Sequence, residues 1–257
     1  MEDSSYLNNP AIAIYYYCFR FLTAPEEIHF FNLFKSVLSE HRDQFTKEDL
    51  EGPYRLAINL CIRKSNQNDK NFTLSGWELY KEGLANGILL NNGLIPRFTF
   101  NNTIALALLL EKFDWTAEFI REKADQLEPL YKTQTLSFNL ARLAFAQGQY
   151  NQALQYLQQP KYTDLLNNLI SRMMKVKIFY ELQALDLLSS QLDTFEQYVR
   201  RKEVGEYHRI NFLTSIKYVR KLLSIPSYDK AAKENLRVQI LSEKILSEKK
   251  WLLKKCL

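Results

Sequence analysis

Glycine and proline are scarce, seven of each in 257 residues. A fold of many tight turns and short strands needs both, so this shortage argues against an all-β protein and for an all-α one. The glycines are scattered. None forms a Gly-x-Gly-x-x-Gly or Walker-type loop, so a nucleotide phosphate has no cradle. Three histidines, His29, His41 and His208, stand in no His-Glu-x-x-His pattern and near no cysteine at ligand spacing, which leaves them as capping or solvated side chains. Cysteine is also rare. Cys18, Cys61 and Cys256 are odd in number and far apart, suggesting neither a disulfide framework nor a zinc motif, and they suit a reducing, cytoplasmic setting. No Gly-x-Ser-x-Gly elbow occurs. The acid pairs Glu26-Glu27 and Glu48-Asp49 fall at expected helix starts, where the helix dipole accounts for them without catalysis. The expectation is a protein with no enzymatic activity, no catalytic residue, no metal site and no cofactor. Long apolar runs are missing too. The stretch 11–19 is broken by three tyrosines and closed by Arg20, too short to span a bilayer, and residues 1–5 are acidic where a secretory leader would be basic. Two Asn-x-Thr triplets, at Asn71 and Asn101, would matter only on a glycosylating route. No linker rich in Pro, Gly or Ser divides the chain, so one domain over 1–257 is expected.

What the chain does have is a cadence. An aromatic or aliphatic residue followed three positions later by a small or aliphatic one recurs as Phe72 and Ser75, Phe113 and Thr116, Tyr150 and Ala153, Leu185 and Leu188, Tyr228 and Ala231. The spacings, 41, 37, 35 and 43, are those at which a helix-turn-helix unit repeats. A small residue at each crossing lets two helices approach, and Ala153 and Ala231 are expected in that role.

Period and punctuation place about twelve helices. Residues 11–22 are apolar nearly all round, and Pro25 with two glutamates opens a second helix. Thr46 and Asp49 resemble a capping box ahead of the stripe Tyr54, Ala57, Ile58, Cys61 and Ile62. The stretch 72–90 carries Gly76, Gly83 and Gly87, which weaken a helix unless close packing needs them. Further helices are expected over 99–111, 114–127, 131–147, 150–158, 163–182, 185–204 and 206–224, with terminal turns from 228 onward. The echo of 240–244 in 245–249 reads as part of a capping helix. Aromatic residues make up 13% of the chain and are spread along all of it, as interlocking core side chains. Phe138, Phe145 and some of Tyr15 to Tyr17 are candidates to line a groove instead.

The segment 139–160 resembles a tetratricopeptide repeat. Leu140 and Ala141 match the leucine and small residue of its first helix, Gly148 and Tyr150 its turn, Ala153 the contact between helices, and Pro160 the terminator. Segments 98–119 and 173–212 are similar to stretches of uncharacterised bacterial repeat proteins of this broad class. The resemblance implies an all-α, right-handed solenoid of antiparallel helix pairs, best matched over 131–160 and divergent elsewhere. It also implies a concave groove that holds a protein or peptide partner. Carried onto this chain, the groove positions are Phe138, Asn139, Arg142 and Phe145, with Arg142 exposed and facing a carboxylate or carbonyl, Asn139 on the ligand backbone, and Phe138 making apolar contact.

Charge offers an alternative. Residues 1–170 hold 16 basic against 19 acidic side chains, whereas 171–257 hold 18 against 10. Arg200, Arg201 and Lys202 adjoin, and Lys217, Arg220 and Lys221 share one helix face. Such a basic patch can track phosphates, so the second reading is a helical-repeat binder of single-stranded RNA. No pair of base-reading residues recurs at the repeat period, which favours the protein or peptide reading.

Overall fold

Helix boundaries follow local chemistry in the computed structural model, which describes residues 4–158 and 164–257. The expected terminator Pro160 and the acidic residues 1–3 lie outside the described residues. Packing divides the chain into two compact units, residues 1–148 and 149–257. The first contains α1 (Pro10–Thr23), α2 (Ile28–His41), α3 (Lys47–Asn66), α4 (Lys70–Ala85), α5 (Arg97–Leu109), α6 (Phe113–Lys123) and α7 (Lys132–Ala146). The second contains α8 (Tyr150–Gln158), α9 (Leu165–Glu181), α10 (Leu185–Arg201), α11 (Glu206–Ser224), α12 (Lys230–Ser242) and α13 (Lys249–Lys255). Among the described residues there is no strand, only two isolated bridges, Asn91 with Leu94 and Ile95 with Leu127. Most helices adjacent in sequence pack on one another within each unit; α2 and α3 are an exception, α3 packing on α1 instead.

In the first unit, Asn9 caps α1 by accepting from the Ala11 amide, and the Thr46–Asp49 capping box opens α3 as its sequence suggests. Pro53 sits inside α3 and has no amide to offer the Asp49 carbonyl one turn back. The Tyr15 hydroxyl of α1 donates to that carbonyl at 3.3 Å, so a defect in one helix is met by a neighbour. Tyr54, Ala57, Ile58 and Cys61 face inward with Phe21, Phe34, Phe100 and Ile104 to form the core. Gly76 lies where α3, α4 and α5 meet. A Cβ there would stand 2.9 Å from Cys61 Cβ and 3.0 Å from a Leu106 methyl, so only glycine admits this approach. Gly87, expected within the helix, instead follows its end with φ +72°, because α4 stops at Ala85.

The second unit has its own core of Leu188, Leu192, Phe195, Phe212, Ile216 and Ile240. Its C-terminal helix is fastened to α9: Trp251 Nε1 and Lys255 Nζ donate to the Glu181 carboxylate at 2.8 and 2.7 Å, and Lys177 pairs with Glu248 at 2.8 Å. The continuous terminal helix expected from the 240–249 echo is not formed. The chain is extended at Glu243, and the Asn211 side chain holds the intervening segment through the Ser247 amide at 2.7 Å and hydroxyl at 2.9 Å.

The cadence of the sequence corresponds to a repeated turn. Asn68, Glu111, Gly148 and Gln183 adopt left-handed φ of 68°, 56°, 75° and 54°, each just ahead of a helix. In three of these turns the next amide reaches back five residues, from Asp69 to Lys64, Lys112 to Ala107 and Ala184 to Phe179, which closes the preceding helix. Five residues beyond each left-handed residue stands a buried side chain: Thr73, Thr116, Ala153 or Leu188. The register inferred from sequence is therefore corrected at both ends. Thr73 rather than half-buried Ser75 takes the inward position, and Ala231 is exposed and lies at no crossing. The boundary between the two units falls at Gly148, inside the best repeat match.

Candidate functional site

Helix α7 presents Thr135, Phe138, Asn139 and Arg142 along one face, at the spacing that stacks side chains over successive turns, and this face meets α5. Thr135, Phe138 and Asn139 are buried, Asn139 completely. A fully buried amide must satisfy its donors and acceptor locally. Asn139 Nδ2 donates to Asn101 Oδ1 at 2.6 Å and to the Thr135 carbonyl at 2.8 Å. Its Oδ1 accepts from Arg142 Nη1 at 3.1 Å, and the same nitrogen donates to the Asn101 carbonyl at 3.0 Å. The guanidinium lies 5.4 Å from the centre of the Phe138 ring.

Arg142 is thus half-buried and held on one nitrogen. Burial pushes its pKa down to about 10, leaving it cationic at neutral pH. Among the described residues no carboxylate lies within ion-pairing distance of it, and its Nε and Nη2 make no hydrogen bond. A desolvated cation with spare donors is the chemistry that recognises a carboxylate. The expected exposure of Arg142 is corrected, since it ties α7 to α5. Phe138 and Asn139 reach no solvent and support the arginine, and Phe145 is half-buried. Sequence reading missed Asn101. It lies 38 residues from Asn139, and its only signal was a polar pair, Asn101-Asn102, in an apolar helix.

The alternative residues lie in the second unit. Arg200, Lys217 and Arg220 come together around a cleft of about 260 Å³ between α10 and α11, floored by Leu213 and Ile216. Its arginines are already matched. Arg200 donates through Nε and Nη2 to Glu196 at 3.0 and 2.7 Å, while Arg220 pairs with Glu196 and, at 2.7 Å, with Asp193. Hydrogen bonds from Arg200 and Arg220 hold the Glu196 carboxyl below its ordinary range. Lys221 donates to Gln239 at 2.6 Å, and Lys217 stands 3.9 Å from Glu243. Arg201 and Lys202 are exposed at the end of α10 and do not line the cleft.

Among the described residues no three of His, Cys, Asp and Glu are grouped to hold a metal ion, and no helix is long and apolar enough to cross a membrane. The three cysteines are free and buried, and burial pushes the Cys18 and Cys61 thiols up to about 12. Compared with known proteins, the chain matches no family model and no curated sequence.

Proposed function

We propose that this protein is a non-enzymatic, cytoplasmic scaffold of tetratricopeptide-like, antiparallel helix pairs in a right-handed solenoid, and that it binds a protein or peptide. The supporting observation is Arg142, a partly desolvated cation positioned by Asn139 and Asn101 and lacking an acid partner among the described residues. It would anchor a partner carboxylate, with Phe138 and Asn139 acting behind it. The repeated left-handed turns support the repeat reading, and buried free cysteines suit a reducing compartment. The RNA alternative draws less support, because acids of the same unit match the arginines at the cleft.

The test is a peptide-array screen followed by titration of the best ligand as free acid and as amide. The reading expects amidation to weaken binding about tenfold or more, the loss of one charge-assisted bond. Arg142→Gln should abolish that difference while Arg142→Lys retains part of it, with melting curves confirming the folded fraction. Binding that ignores Arg142 but collapses on reversal of Lys217, Arg220 and Lys221, with a steep salt dependence, assigns the site to the basic patch instead.

A further inference from the structure

We propose that α1 is a self-association surface through which two copies of this chain pair in antiparallel fashion. Ala13, Ile14, Cys18 and Phe21 turn one face of α1 into the core of the first unit. The other face is not polar. Ile12, Tyr15, Phe19 and Leu22 are 45%, 56%, 62% and 38% exposed. Their spacing of three, four and three is the repeat of a coiled-coil seam, which places all four on one line and lets each fit between residues of a facing helix. Arg20 is the only side chain of the helix that carries charge at neutral pH, and its guanidinium is withdrawn over the Phe30 ring at 3.9 Å. The seam therefore carries no charge that a second copy would have to desolvate.

Area and charge select the occupant. Aromatic side chains bury about 150–250 Å² each when fully covered, so two half-exposed aromatics and two aliphatics offer on the order of 400 Å² per copy. Exposed Tyr6, Ala11 and Thr23 beside them bring a symmetric pair to roughly 1,000 Å², the lower edge of specific interfaces and the size of a weak, micromolar dimer. A membrane surface fits poorly. Helices that lie on lipid carry lysine or arginine along the border of the apolar face, whereas Arg20, the one cation of α1, is turned onto Phe30 and Glu27, and neighbouring α3 exposes Glu48 and Glu51 alongside Lys47 and Arg55, the last paired with Glu51. The helix dipoles set the direction. A parallel pair aligns the two dipoles, while an antiparallel pair opposes them; Glu26 and Glu27 at the C-terminal end already pair with Lys64 and Arg20 of their own chain and do not decide the direction. Ile12 of one copy then meets Leu22 of the other, and Tyr15 meets Phe19.

The experiment is sedimentation velocity of the full chain from about 1 to about 200 µM, spanning the affinity expected of so small an interface. A reversible monomer–dimer equilibrium is expected, weakened at least tenfold by Phe19→Glu with an unchanged melting curve, since Phe19 is mostly exposed. Ile12→Glu and Leu22→Lys should each be monomeric alone and re-form a dimer when mixed, which a mere loss of folding cannot produce. A chain that stays monomeric throughout overturns the proposal, as does a dimer indifferent to Phe19→Glu or a mixture that fails to pair. Flotation of a monomeric chain with phosphatidylcholine vesicles, with or without phosphatidylserine, lost in Phe19→Glu, would reassign the face to lipid.

Discussion

Asn139 shows how a residue's environment decides its job. As an outward residue of a first helix it would hydrogen-bond a ligand. Buried between α5 and α7, it spends its amide on Asn101 and Thr135 and its oxygen on Arg142. Asn139→Ala strands several of these groups away from water, so we expect a loss of roughly 1–3 kcal/mol in urea denaturation. A change of under a few tenths would show that water replaces the amide. Glu196 gives a second prediction at this scale. Two arginines lower its pKa from the ordinary 4.5, so its contribution to stability is present above that value and fades as pH falls through the lowered one. Glu196→Gln should reduce the melting temperature at neutral pH and match the parent in strong acid. A constant difference at all pH values would mean the carboxylate's charge does not matter.

Among the elements, α3 and α4 depend on close approach. Gly76 leaves no room for a methyl group beside Cys61 and Leu106. Gly76→Ala improves intrinsic helix propensity by about 1 kcal/mol, yet the overpacking it forces costs about 1–3 kcal/mol, so net destabilisation is expected from thermal melts. A stabilised variant would show that the crossing opens easily. The helix starts and most inward faces could be read from sequence, because caps and apolar stripes are local signals; the Thr46–Asp49 box and the Tyr54 to Cys61 stripe are examples. Where reading failed, the cause was turn chemistry. Thr73 replaced Ser75 because the turn is set by the left-handed Asn68; asparagine tolerates positive φ better than other side chains, but the polar stretch 65–70 holds Asn66 and Asn68 alike and does not say which one turns.

On the scale of the whole chain, each unit has a separate apolar core. Fragments 1–148 and 149–257, expressed alone, should each give a helical circular dichroism spectrum and a cooperative melt. A fragment that melts without a transition would show that its core needs the other unit.

The sequence by itself determined helix, because few glycines and prolines, apolar residues at helical period and capping side chains all act within a few positions of where they stand. Its cadence also marked the helices that open at Phe113, Tyr150 and Leu185, though not the left-handed residues that make the turn ahead of each. Only the tertiary structure decided which face of α1 is covered, because a helix apolar nearly all round carries no instruction about which side meets a neighbour. It alone joined Asn101 to Asn139 and Arg142, and Arg220 to Glu196, pairs 38, 41 and 24 residues apart that no local period connects. Burial and charge pairing are properties of what arrives from elsewhere in the chain, and those fix whether an arginine is free to meet a partner.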